Sequence, residues 1–105
     1  MTKVLFICGK ARMRSPTAAD LVLGWGGEAD FAGLSHDADE KLSSEHIEWA
    51  DVIFVMETRQ KKRLNALFGP LLKDKRVVSL GVPDKFAYMQ PELVAVLSKK
   101  LAHLR

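Results

Sequence analysis

The sequence predicts an α/β fold, a single small three-layer domain over residues 1–105 in which helices cover both faces of a four-stranded parallel sheet. Three observations lead there. Short apolar runs alternate with segments of helical periodicity along the chain, the order that β-α-β crossovers produce. The first run, Val4-Leu5-Phe6-Ile7, is apolar at every position rather than at alternate ones, as a strand buried on both faces must be. A length of 105 residues and an apolar fraction of 48% suffice for one hydrophobic core, and no composition shift marks a domain boundary.

Each element has its own justification. Lys3 to Ile7 reads as the buried first strand. Pro16 to Leu23 reads as a helix that packs through Ala18, Ala19 and Val22, and it ends where Gly24, Gly26 and Gly27 surround Trp25. Asp30 to Ala32 is a short second strand, followed by a polar loop from Ser35 to Lys41. Ser43 or Ser44 is placed to cap a short helix through Glu48, which leads into the strand Val52 to Met56. Thr58 to Phe68 is basic on one side and apolar on the other through Leu64, Leu67 and Phe68, and it stops at Gly69-Pro70. Arg76 to Leu80 supplies the fourth strand. Pro91 opens a last helix in which Leu93, Val94, Leu97, Leu101 and Leu104 keep helical spacing, while Lys99, Lys100 and Arg105 complement the C-terminal dipole.

The first strand delivers the one cysteine of the chain, Cys8, into Gly9-Lys10-Ala11-Arg12-Met13-Arg14-Ser15-Pro16, a C-x5-R-S arrangement. A cysteine that closes an apolar strand is, taken alone, a small buried hydrophobe. The arginine at the mouth of the next helix changes that reading. A short loop between strand and helix can place a sulfur, a guanidinium and successive backbone N–H groups around one tetrahedral oxyanion. The pattern marks Gly9, Lys10, Ala11, Arg12, Met13, Arg14 and Ser15 as a phosphate-binding loop with Cys8 as the nucleophile at its floor. A thiol attacks only as its anion, a form favoured by inward N–H dipoles, by the positive end of the helix and by a hydroxyl such as that of Ser15. Arg14 suits two phosphoryl oxygens at once, because its planar fork is bidentate where a lysine is a point charge.

These residues resemble the low-molecular-weight protein tyrosine phosphatases, in particular their short bacterial relatives. The resemblance runs through Lys3 to Ala19, Ala32-Gly33-Leu34-Ser35, Trp49 to Met56 and Val82-Pro83-Asp84-Lys85-Phe86. It implies a phosphomonoesterase that works through a phosphocysteine without metal or cofactor, and it implies Asp84 as the general acid and then the general base. The chemistry has its own need for such a group. The leaving oxygen must be protonated as sulfur attacks phosphorus, and the water that hydrolyses the phosphocysteine must lose a proton. Without that context, Pro-Asp in a polar loop is an ordinary turn. Cys8, Glu57 and Gly81 to Asp84 all follow predicted strands, and parallel sheets bind ligands beyond those ends.

Departures from the family pattern shape the alternative. Ala11 stands where typical members have an asparagine that braces the loop, so the loop is expected either to be braced in another way or to be looser. Met13 stands where many have a second cysteine, which removes any intramolecular disulfide relay and argues against the branch of arsenate reductases that resolves its intermediate through thiols. Lys10 and Arg12 add positive charge to the loop, and Lys85 replaces the proline that often follows the acid. The alternative function is therefore an oxyanion-binding module, non-catalytic or weakly catalytic, that recognises a phosphorylated partner or nucleic acid.

The remaining features set boundaries. A net charge of +3 fits a phosphorylated protein or a small phosphomonoester as partner, and it is too small to favour nucleic acid. His36, His46 and His103 lack ligand spacing, so no metal site is expected. The run Arg59-Gln60-Lys61-Lys62-Arg63 reads as a solvated helix face, with a docking surface as the lesser reading. Trp25 and Trp49 read as core or rim anchors, and Phe86 and Tyr88 as pocket wall or core. With no stretch long enough for a bilayer, no signal-peptide core and a lone cysteine, the expectation is a reducing cytoplasm and no membrane association.

Overall fold

The computed structural model describes residues 2–11 and 13–104, so Arg12 of the expected phosphate loop and Arg105 of the expected last helix lie outside the described residues, as does Met1. The elements in order are β1 (Lys3–Cys8), α1 (Arg14–Gly24), β2 (Glu28–Gly33), α2 (Ser44–Trp49), β3 (Val52–Val55), α3 (Thr58–Phe68), β4 (Arg76–Ser79) and α4 (Pro91–Lys100), with 3-10 turns at Gly69–Leu72 and Ala102–Leu104. The strands form one parallel sheet in the order β2-β1-β3-β4. The chain winds outward from β1 to the edge strand β2, then returns across the sheet to β3 on the other side of β1. Winding therefore reverses at β1, and a crevice opens beyond its carboxyl end, where Cys8 sits.

Burial on both faces explains the unbroken apolar run of β1. Val4, Phe6 and Cys8 face α1 and α4, packing with Ala18, Ala19, Val22, Leu93, Leu97 and Leu101. Leu5 and Ile7 face the other way, onto Ile47 of α2 and Leu64 of α3. Each of these large side chains contributes about 1.5–3 kcal/mol by leaving water. On the first face the rings of Phe6 and Phe54 also stack, with centroids 5.5 Å apart. Alanines at positions 18 and 19 let α1 lie close against the sheet, which brings its N-terminal turn up to the crevice.

The expected elements are all present, α3 with the expected bounds and the others with ends shifted by a residue or more. β2 begins at Glu28 rather than Asp30 because it pairs in register with all of β1, from Lys3 with Glu28 to Cys8 with Gly33. Its own residues have little strand preference, so the partner decides its length. α1 begins at Arg14, and Pro16 sits within its first turn, where a missing N–H costs nothing. α4 closes at Lys100, where the N–H of Leu101 bonds the Leu97 carbonyl at 2.8 Å, and Leu104 falls in the following 3-10 turn. Among the described residues no helix is long and apolar enough to cross a membrane.

Candidate active site

The loop after β1 is shaped from outside by the segment after β2. The carbonyls of Cys8, Gly9 and Lys10 accept hydrogen bonds from the N–H groups of Leu34, Ser35 and Asp39, each at 2.9 Å. A trans peptide points its N–H opposite to its C=O, so turning these three carbonyls outward turns the N–H groups of Gly9, Lys10 and Ala11 inward. The inward direction is visible at Ala11, whose N–H donates to the Cys8 sulfur at 3.3 Å. Ala11 adopts φ 59°, a left-handed conformation that costs a residue with a Cβ about 1–2 kcal/mol. The missing asparagine brace is thus replaced by backbone hydrogen bonds from residues 34–39.

That bracing needs a close approach, and Gly33 allows it. A Cβ at this position would lie 2.5 Å from the Gly9 oxygen, 2.6 Å from the Ala38 Cβ and 3.0 Å from the Ala11 nitrogen. On the other side of Cys8, the Ser15 hydroxyl lies 3.0 Å from the sulfur, and both groups are buried. The first helical bond of α1 runs from the Thr17 N–H to the Met13 carbonyl, so the N–H groups of Arg14 and Ser15 precede the helical ladder and are open to an anion.

Arg14 is buried and held from behind. Its Nη1 donates to Glu57 Oε1 at 2.7 Å and to the Val82 carbonyl at 2.8 Å, which uses both hydrogens of that nitrogen. The edge formed by Nε and Nη2 makes no hydrogen bond among the described residues, and such an edge can bind two oxygens side by side. Nε lies 3.8 Å from Asp84 Oδ1, and the Asp84 side chain is 65% exposed at the mouth of the cleft. Glu57 also accepts from Arg59 Nε at 3.1 Å. The Arg14 hydrogen bond, aided by Arg59, holds the Glu57 carboxyl below its usual 4.5 despite burial acting the other way.

These groups meet in a cleft of about 370 Å³ lined by Cys8, Gly9, Lys10, Met13, Arg14 and Asp84, together with Ser35, Arg59 and Gln60. The predicted Cys8, Arg14, Ser15 and Asp84 are therefore neighbours in space. Lys10 is half exposed and paired with Asp37 at 3.2 Å, which offsets part of its charge and lowers the Asp37 carboxyl. Tyr88 lines neither the cleft nor the core: it is exposed and donates to Asp20 on α1. Phe86 packs against the core on the α1 and α4 face, and Trp25 and Trp49 pack against the two core clusters as anchors. Among the described residues no group of histidine, cysteine or carboxylate side chains is arranged to hold a metal.

Sequence reasoning missed the wall opposite the loop. Gln60 is buried, and its Oε1 accepts from the N–H groups of Met56 and Glu57 at 3.0 and 2.9 Å, fixing the first turn of α3 beside the cleft. The pattern Glu57-Thr58-Arg59-Gln60 directly after a strand is half of a capping box, and that signal would have added Arg59 and Gln60 to the site beside Glu57.

No protein-family model matches the sequence, and no curated protein matches it. Solved structures do resemble it in three dimensions. The arginine phosphatase YwlE from Geobacillus stearothermophilus superposes with TM-score 0.75 at 22% identity, covering 99% of this chain and 88% of its own. The low-molecular-weight protein tyrosine phosphatase SP-PTP from Streptococcus pyogenes superposes with TM-score 0.78 at 16% identity over 100% of this chain and 94% of its own. The chain has the low-molecular-weight phosphatase fold. A further match within this fold is the tyrosine phosphatase Wzb from Escherichia coli K30 in complex with phosphate, with TM-score 0.77, 18% identity and coverage of 98% and 96%. The phosphatase fold thus extends over nearly the whole chain, including the Cys8 loop and the Val82 to Asp84 segment.

Proposed function

We propose that the protein is a cysteine-dependent phosphomonoesterase of the low-molecular-weight protein tyrosine phosphatase type, acting on a phosphorylated protein. One observation carries the reading: the Cys8 sulfur, held by the Ala11 N–H and the Ser15 hydroxyl, lines the same cleft as a buried arginine and Asp84. The phosphatase names of the structural neighbours support it. In the first step the Cys8 thiolate attacks phosphorus, forming the P–S bond as the P–O bond breaks, and Asp84 gives its proton to the leaving oxygen. Arg14 and the inward N–H groups follow the charge that spreads over the three remaining oxygens. In the second step water attacks phosphorus, the Asp84 carboxylate takes its proton, and the P–S bond breaks to return thiolate and inorganic phosphate. The residues supply every proton and electron pair, so the reaction needs no metal or cofactor. A reducing cytoplasm is the compartment that suits a lone catalytic thiol.

The test is hydrolysis of para-nitrophenyl phosphate. Wild-type turnover should vanish in Cys8→Ser, and activity that survives this change refutes the mechanism. Asp84→Ala should slow poor leaving groups by about 100-fold or more and good ones far less, because only the former need the proton. Equal loss with both would make Asp84 structural. Phosphate binding that Arg14→Ala removes, with no wild-type turnover on any phosphomonoester, would instead establish the binding module.

A further inference from the structure

The cleft above Cys8 does not end at Arg14. It runs into a second groove of about 300 Å³ between Leu34 and Ser35 on one side and Arg59 and Arg63 of α3 on the other, and Gly9, Ser35, Arg59 and Gln60 line both. α3 carries four cations, Arg59, Lys61, Lys62 and Arg63, and no acid along its length. That exceeds the net charge of +3 of the whole chain, so the positive excess of the protein is concentrated on this helix. Arg59 and Arg63 stand one turn apart on the face that borders the groove. Glu57 is shared between Arg14 and Arg59, so one carboxylate faces two guanidinium groups. Arg63 is exposed and has no ion pair or hydrogen bond among the described residues. Asp37, one of the acids near the loop, is paired with Lys10.

We propose that this groove is a second anion subsite, and that the substrate is a phosphorylated peptide with acidic side chains beside the phosphorylated residue. The proposal rests on the reading of the Cys8 cleft as the phosphate site. Spacing supports a peptide. Four helical residues rise about 6 Å, and acidic side chains two apart on an extended peptide point the same way and lie about 6.6 Å apart, which matches Arg59 and Arg63. Chemistry argues against nucleic acid, because among the described residues no aromatic side chain on which a base would stack lines either groove.

The experiment measures binding of fluorescent phosphotyrosine peptides to the Cys8→Ser protein by anisotropy, so that turnover does not enter. One peptide carries Asp or Glu at alternate flanking positions, and the other carries Asn or Gln there. The acidic peptide should bind about 5- to 10-fold tighter at low salt and approach parity near 0.5 M salt, as exposed ion pairs do. Arg63→Ala should cut the preference to about 2-fold, Arg63→Glu should reverse it, and neither should change hydrolysis of para-nitrophenyl phosphate by the otherwise wild-type enzyme. Equal binding of the two peptides at low salt overturns the subsite, as does a preference untouched by Arg63→Glu. So does tighter, Arg63-dependent binding of a single-stranded oligonucleotide, or a preference shown only for a second phosphate on the peptide. The two readings fail separately. Hydrolysis without peptide discrimination leaves the phosphatase and removes the subsite, whereas discrimination without wild-type hydrolysis leaves the subsite and removes the phosphatase.

Discussion

Gly33→Ala should disable the site without touching any group that does chemistry. The added Cβ would meet the Gly9 oxygen at 2.5 Å, and reaching an ordinary 3.4 Å contact moves that carbonyl by roughly 0.9 Å. The same carbonyl accepts the Ser35 N–H at 2.9 Å, so the shift costs that hydrogen bond, about 1 kcal/mol, on top of about 1–3 kcal/mol of overpacking. The expected destabilisation is about 2–4 kcal/mol, a Tm lower by roughly 10 to 25 °C for a chain of this size. Turnover should fall about 100-fold, because a displacement near 1 Å in the loop removes the N–H groups from their inward aim. Thermal denaturation followed by circular dichroism reads the first quantity, and hydrolysis of para-nitrophenyl phosphate well below the new Tm reads the second. Gly24→Ala is the control, since a Cβ there meets nothing within 4 Å, and it should stay within about 1 kcal/mol of wild type on the stabilising side. A Gly33→Ala protein with wild-type Tm and turnover would refute the argument that backbone contact with residues 33–39 shapes the Cys8 loop.

Two further outcomes follow from the ionisable groups. The Glu57 carboxyl lies below its usual 4.5 in the folded protein, chiefly because Arg14 donates to it, so the stability it adds is complete above that value and is lost as pH falls through the folded one. Glu57→Gln should therefore cost about 1–2 kcal/mol at pH 7, and urea unfolding should show the gap narrowing below about pH 4.5; a gap of the same size at pH 3.5 would contradict the pairing. Tyr88 is the one tyrosine in the chain, so its ultraviolet titration is unambiguous. Its hydroxyl donates to Asp20, which raises it above 10.0, and the contact holds below that pH and fails as pH rises through the folded value. Asp20→Asn should bring the titration midpoint down toward 10, and a wild-type midpoint at or below 10 would refute the contact.

What could be read along the chain and what could not divides by distance. The apolar run ending at Cys8, the glycine-rich stop after α1 and the Pro91 start of α4 are set by near neighbours and are plain in the sequence. Glu57 and Val82 hold Arg14 from 43 and 68 residues away, and nothing local at Arg14 points to them. Arg59 shows the same limit. Within its basic run it reads as solvated, yet the turn fixed by Gln60 brings it to the edge of the cleft.

By itself the sequence determined the α/β order, the C-x5-R-S loop with its candidate nucleophile and arginine, and the late aspartate, because strand, loop and helix starts are short-range chemistry. Only the tertiary structure decided how the loop is braced without an asparagine, which nitrogen of Arg14 is held by Glu57 and Val82 and what forms the opposite wall. Those depend on backbone hydrogen bonds and ion pairs between segments that meet only when β1 is packed between β2 and β3. Parallel pairing places the carboxyl ends of the strands at one edge of the sheet, and the site exists where their loops converge.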